Sequence, residues 1–370
     1  MSDRPTESVR PAEVVRRGRG AVSNRPGRYE VRRLAPLDPS IEVCADPEDL
    51  EPPPLRTTVT PDASRSIVTR NDSPDIPFEQ SINPYRGCEH GCVYCFARPT
   101  HAYLGLSPGL DFETRLFSKP QAAELLRKEL RRPGYRCRTI ALGSNTDPYQ
   151  PIERTLKITR SVLEVLREFR HPVTIVTKSD LVLRDRDLLA PMAADRLASV
   201  MVSVTTLDRA LARAMEPRAA APARRIAAIR GLSAAGVPVG VLASPMILGL
   251  NDPELERILR ECAGAGARSA GYVLLRLPLE IKDLFREWLE AHVPLKAPRI
   301  LGLVRDTRGG RLYDATFGLR MRGTGPQADL LQRRFEVACA RLGLDRAPAP
   351  HDPTRFRVPP AAGDQLGLFR

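Results

Sequence analysis

The sequence predicts an α/β fold: a TIM-like, partial barrel of about six βα units, with an irregular N-terminal arm and a C-terminal helix plus tail. Three observations predict it. Short apolar, β-branched runs recur between residues 78 and 305. Longer stretches with apolar residues at helical spacing separate them. The runs are apolar throughout rather than alternating, as strands are when crossover helices cover both faces of a parallel sheet.

The chain divides into an arm at 1–62, a barrel core at 63–305, an extension at 306–345 and a flexible tail at 346–370. The arm is rich in Pro and Arg, with nine Arg against four acidic residues in 1–33. It reads as a solvated tail, a segment wrapped over the core or a nucleic-acid arm, and the Pro-rich stretch 51–57 reads as an extended linker. The first strand is expected around 79–85, and five more at 138–144, 172–179, 198–206, 238–245 and 270–277. Helical faces lie between and after them. Val162, Leu163, Leu166 and Phe169 share one face; Leu255, Ile258, Leu259 and Cys262 make another; Ile281, Leu284, Phe285 and Trp288 make a third. A last helix is expected over 326–342, apolar at Leu331, Phe335, Ala338 and Leu342.

Composition narrows the functional classes. The 370 residues are 42 % hydrophobic and 27 % charged, ample for a buried core. No apolar run approaches the roughly 18 residues of a membrane helix, and the N-terminus shows no secretory h-region, so a cytoplasmic location is expected. The net charge of +13 comes chiefly from 51 Arg against six Lys. It reads either as attraction to a polyanion or as the Arg bias of a GC-rich genome. Aromatic residues make up only 5 %, which argues against a single-strand stacking platform.

Seven Cys in a cytosolic chain argue for metal or catalytic chemistry rather than disulfides. Cys88, Cys92 and Cys95 stand in a C-x3-C-x2-C spacing on a Gly-containing loop just after the first strand. Three thiolates this close hold three corners of a cubane iron–sulfur cluster and leave the fourth iron free for a substrate or cofactor. Cys262 and Cys339 fall on apolar helix faces, and Cys44 and Cys137 have no Cys neighbour at ligand spacing. A zinc site with His90 or His101 as fourth ligand is the first alternative. A thioredoxin-type redox pair is the second, and it leaves Cys88 without a role. Spacing, position after strand one and the barrel pattern agree on the cluster.

With Tyr94 as the aromatic residue before the last Cys, this pattern resembles the radical S-adenosylmethionine (SAM) superfamily. The resemblance implies a [4Fe–4S] cluster whose open iron binds the amino and carboxylate groups of SAM. It also implies reductive cleavage of SAM to a 5′-deoxyadenosyl radical and an electron donor that remains unidentified. By position, the loop after the second strand carries Ser144, Asn145, Thr146 and Asp147, where the superfamily often has Gly-Gly-Glu. Asp147 is the choice for the SAM ammonium, with an Asx-type turn as the plain alternative. Thr177, Lys178 and Ser179 end the third strand. Ser203 and Thr205 end the fourth, where the superfamily contacts the SAM ribose and carboxylate. Arg218 reads as a partner for a carboxylate or as a surface salt bridge.

Within the superfamily, the chain resembles spore photoproduct lyase and the lyase-like proteins labelled DNA repair photolyases. The shared stretches are NPYRGCEHGCVYCFARPTH, LGSNTDPYQPIE, TKS, SVTT, MEPRAAAPARR and SPMILGLND over roughly 80–255, together with GRGAVSNRPGRYE at 18–30. One departure stands out. The lyases place a hydrogen-donating Cys at the end of the second strand, near Gly143–Ser144 here; this chain has none, and Cys137 comes six positions too early. No catalytic residue is therefore assigned, and a substrate other than the spore thymine dimer is expected. The tail carries Gln365, Leu366, Leu368 and Phe369, which resembles the Q-L-x-L-F peptide that docks bacterial repair proteins on the sliding clamp. The resulting expectation is a radical SAM enzyme acting on damaged or modified DNA. The alternatives are RNA, a peptide or a small molecule as substrate, or a non-enzymatic metal-binding adaptor recruited to the clamp.

Overall fold

A computed structural model describes residues 15–30, 55–345 and 350–360. All six expected strands form, each shorter than its apolar run: β3 (Gln80–Ile82), β6 (Ile140–Leu142), β7 (Val173–Thr177), β8 (Ala198–Ser203), β9 (Val239–Met246) and β10 (Ser269–Leu274). They lie in the order β10-β9-β8-β7-β6-β3 and every pair is parallel. The register runs Ile82↔Leu142, Leu142↔Ile175 and Ser203↔Leu242, so the strand ends that follow these residues share one rim. A seventh strand, β2 (Val68–Arg70), pairs antiparallel with β3 at the edge.

Crossover helices cover the sheet. They are α1 (Ala122–Leu130), α2 (Ile158–Glu168), α3 (Arg186–Ala194), α4 (Arg209–Met215), α5 (Pro222–Ala234) and α6 (Leu255–Gly264). The apolar faces read from the sequence are the buried ones: Val162, Leu163 and Leu166 on α2, and Ile258, Leu259 and Cys262 on α6, join strand residues such as Ile140, Val200 and Val241 in one core. After β10 come α7 (Ile281–His292), α8 (Ala297–Asp306) and α9 (Pro326–Leu342). Phe335 of α9 packs its ring 4.8 Å from Tyr272 of β10, and Arg334 pairs with Glu256 of α6 at 2.8 Å. The free edge of β10 is blunted, because the Leu274 N–H donates to the Met321 carbonyl at 2.9 Å. Beside it Arg320 reaches across to Asp75 in the β2–β3 loop.

Three features depart from the expectation. A second sheet, in the order β1-β5-β4, joins β1 (Thr58–Pro61), β5 (Arg115–Ser118) and β4 (Tyr85–Arg86). Its strand β1 belongs to the segment read as an irregular arm and has no apolar alternation, since all four residues face solvent. Residues 15–30 wrap the core rather than trail in solvent: Ala21 and Val22 are buried, and Arg19 donates to the Glu113 and Leu55 carbonyls at 3.1 and 2.6 Å. Residues 350–360, expected in a flexible tail, dock on the barrel. Phe356 packs against Tyr135, Phe169 and His171, and Asp352 N–H bonds the Arg196 carbonyl at 3.1 Å. Gln365, Leu366, Leu368 and Phe369 lie outside the described residues.

Candidate functional site

The cysteine loop leaves β3 at the rim shared by the C-terminal ends of the parallel strands, where βα-barrel sites are built. Glycine opens it. Gly87 has φ +75°, and a Cβ there would meet the Phe112 carbonyl and the His101 ring at 2.8 Å. Behind the loop lies Arg98, fully buried. It donates to the carbonyls of Gly91 at 3.0 Å, Cys92 at 2.8 Å, Pro108 at 3.0 Å and Gly109 at 2.9 Å, and pairs with buried Glu113. The planar fork of the guanidinium thus fixes several turns of the loop at once. Glu113 in turn accepts the N–H groups of Gly20 and Ala21 at 3.0 and 2.8 Å, which straps the arm onto the loop.

All three thiols are free; Cys88 and Cys92 are buried and Cys95 half-buried. Burial pushes each thiol up, Cys92 to about 12 with Glu216 adding to it, and Cys88 also feels the Asp147, Cys92 and Cys95 charges. Three desolvated sulfurs that feel one another are suited to a cationic group shared between them, and three rather than four suits a cluster with one open corner. Thioredoxin-type thiols are pushed the other way. Among the described residues, no three Cys, His, Asp or Glu side chains converge on a single ion, whereas a cubane receives each thiolate on its own iron. The imidazoles considered for zinc have other neighbours: His101 Nε2 lies 2.9 Å from the Arg115 carbonyl and His90 Nδ1 3.3 Å from Asp147.

The strand-end residues gather around this loop. After β6, Ser144 and Asn145 bond the Asn83 side chain at 3.0 and 2.9 Å, and the Thr146 hydroxyl donates to the Gly87 carbonyl at 2.7 Å. Gln150 accepts the Glu89 N–H at 2.8 Å. Asp147 is occupied from several sides. It accepts the Thr177 hydroxyl and the Lys178 N–H at 2.7 Å each and the Tyr149 N–H at 2.9 Å, and it faces His90. Burial would raise its carboxyl, but the His90 imidazole and these bonds outweigh burial and hold it at about 2. Asp147 thus locks the loop to the end of β7.

At the end of β8, the Tyr94 hydroxyl donates to Glu216, and the Thr205 hydroxyl lies 2.6 Å from the same carboxylate. Glu216 pairs with Arg225, both fully buried. Burial would raise the Glu216 carboxyl, but Arg225 and Lys178 hold it at about 2. Lys178 is half-buried, with its ammonium 5.8 Å from the centre of the Tyr94 ring. Ser203 is buried, and its carbonyl accepts Arg225 at 3.2 Å. Arg218 forms a salt bridge with Glu89 at 3.4 Å, which realises the plainer of its two readings.

Sequence reasoning missed Arg98, Glu216, Arg225 and Asn251. Asn251 donates to the carbonyls of Thr205 at 2.8 Å and Pro245 at 3.0 Å and so ties two strand ends together. MEPR and LND were read as shared stretches, but nothing local shows that Glu216 and Arg225 face each other across two helices. Cys137 precedes β6 and so stands at the opposite end of that strand from the loop after Leu142. The cavity of about 400 Å³ lined by Asn71, Phe78, Arg138 and Thr139 is at that opposite end too.

The family model of the radical SAM superfamily matches residues 82–262. An uncharacterized protein of Mycobacterium tuberculosis is 36 % identical over 288 residues, 77 % of this chain and 81 % of that protein. An uncharacterized protein of Methanocaldococcus jannaschii is 30 % identical over 173 residues, 47 % of this chain and 62 % of that protein. A spore photoproduct lyase mutant with bound AdoMet and dinucleoside spore photoproduct superposes with a TM-score of 0.52 at 15 % identity, over 77 % of this chain and 78 % of that one. A second mutant of the same lyase gives 0.53 at 17 % identity, over 77 % and 79 %. The fold is therefore that of the lyase's partial barrel, the cysteine loop and strand-end loops lie within the matched region, and the chain belongs to the radical SAM superfamily.

Proposed function

We propose that this chain is a radical SAM enzyme acting on damaged or modified DNA. The carrying observation is the set of three buried thiols at the strand-end rim, strapped by Arg98 and the arm. Cys88, Cys92 and Cys95 would hold a [4Fe–4S] cluster. When bound, the cluster and SAM supply a one-electron cleavage of the sulfonium that delivers a 5′-deoxyadenosyl radical.

The protein's share is placement and exclusion of water. Lys178 offers a half-buried ammonium, bonded to no carboxylate among the described residues, suited to the SAM carboxylate. Ser144, Asn145, Ser203 and Arg218 line the same rim. Asp147, Thr205 and Tyr94 spend their polar atoms on the protein and act by fixing the strand ends and the loop. DNA as substrate is supported by the +13 charge and by the fold shared with a lyase solved with a dinucleoside spore photoproduct. Cys137 stands at the wrong end of β6 to donate hydrogen at the site, which favours a bond or lesion different from that lyase's. The peptide of Gln365, Leu366, Leu368 and Phe369 would tether the enzyme to the sliding clamp.

The test is anaerobic SAM cleavage with dithionite, with and without ultraviolet-irradiated DNA. Wild type is expected to be brown, to form 5′-deoxyadenosine and to respond to DNA, while Cys92→Ala forms none. A colourless protein binding one zinc would overturn the enzyme reading in favour of an adaptor. SAM cleavage indifferent to DNA would move the substrate to RNA, a peptide or a small molecule.

A further inference from the structure

The chain is poor in aromatic residues, yet two tyrosines are stacked in the open. Tyr29 and Tyr103 are 55 % and 68 % exposed, with ring centroids 5.4 Å apart and planes at 29°. Arg28 sits over both rings, 5.5 and 5.7 Å from their centroids. Its guanidinium is steadied by Glu280 at 2.7 Å. Most exposed side chains lie apart from one another; a stacked, half-exposed pair with a cation on its face presents a flat π surface held ready for a ligand.

The pair is built rather than incidental. Tyr103 lies on the short 3₁₀ helix Arg98–Leu104, which begins three residues after Cys95. Tyr29 follows Gly27, where the arm presses so closely on that helix that a Cβ would meet the Leu106 carbonyl at 2.8 Å and the Ala102 methyl at 3.2 Å. The Gly27 N–H donates to Glu30 at 2.6 Å and closes the turn that seats Tyr29. The described part of the arm, 15–30, carries five Arg against one Glu. Flat aromatic faces, a cation over them and a basic segment running alongside match an unpaired base on a phosphate chain.

We propose that Tyr29, Tyr103 and Arg28 form a stacking platform for an unpaired nucleobase of the DNA that reaches the cysteine loop. The inference rests on the DNA reading above and deepens it: the substrate is engaged with at least one base out of the duplex stack. Low overall aromatic content argued against an extended platform; two rings suffice for one base.

The test measures binding of a fluorescein-labelled single-stranded deoxyoligonucleotide to the full chain by anisotropy, alongside DNA-stimulated SAM cleavage. Tyr29→Ala and Tyr103→Ala are each expected to weaken binding about tenfold or more, while Tyr103→Phe, which keeps the ring, stays within about twofold. Iron content and SAM cleavage without DNA stay at wild-type levels. Alanine variants that bind the strand like wild type, when wild type binds and is stimulated by DNA, overturn the platform alone. Wild type that neither binds the strand nor responds to DNA overturns the DNA reading and the platform together. Loss of affinity for purified sliding clamp with oligonucleotide binding unchanged would assign the surface to a protein and overturn the proposal.

Discussion

Arg98 holds the cysteine loop more completely than any other side chain in the site. Removing it leaves Glu113 charged, buried and unpaired and strips four carbonyls of their donor. Breaking such a pair costs about 3–5 kcal/mol. Arg98→Met is expected to lower the melting temperature sharply and to lose iron on gel filtration, and Arg98→Lys to restore neither, because an ammonium lacks the fork. His171 gives a pH prediction. Burial holds its imidazole down to about 4, so the folded protein keeps it neutral while the unfolded chain protonates near 6.5. A base depressed on folding stabilises above its unfolded value, and that stability drains as pH falls from about 6.5 to about 4. The loss is on the order of 3 kcal/mol. Denaturant unfolding across this range should show it, and His171→Gln should flatten the slope. Asp147 acts lower down, its contribution fading as pH falls from about 4 towards 2.

Among elements, the arm is a structural part of the site. A Cβ on Gly20 would lie 1.7 Å from the Gly91 carbonyl, between Cys88 and Cys92. Neither backbone has slack, since Arg98 holds the one and Glu113 the other. Gly20→Val is therefore expected to release the arm. Limited proteolysis should cut near residue 20 in the variant and not in wild type, and iron retention should fall. The elements also show how much was legible. The six parallel strands stood out because burial on both faces demands unbroken apolar runs. Strands β1, β2, β4 and β5 did not, being two to four residues long and largely paired with remote segments. Thr58–Pro61 carries no apolar pattern at all and is a strand only because Arg115–Ser118 lies beside it. Phe356 gave no sign that it would dock beside Tyr135 and His171, for a single ring after a Pro-rich stretch has no periodicity to read.

Across the whole molecule, +13 charges and the basic arm set the long-range behaviour towards a polyanion. Oligonucleotide affinity should fall linearly on a log–log plot against salt, with a slope that counts the phosphates neutralised. Arg16→Ala combined with Arg17→Ala is expected to reduce that slope by about 1–2, since each lost phosphate contact removes about 0.9. A slope unaffected by both changes would remove these residues from the contact.

The amino-acid sequence on its own determined the parallel α/β architecture and the three-thiol loop, because hydrophobic period and ligand spacing are local properties that survive in one dimension. It also named Asp147, Lys178 and Thr205 by their places at strand ends. Only the tertiary structure decided what those residues do. It turned Asp147 and Tyr94 inward as fasteners, paired Glu216 with Arg225, gave Arg218 to Glu89 and stacked Tyr29 on Tyr103. A hydrogen bond or ring stack between residues many positions apart depends on how the layers pack, and that information exists only once the barrel has closed around its core.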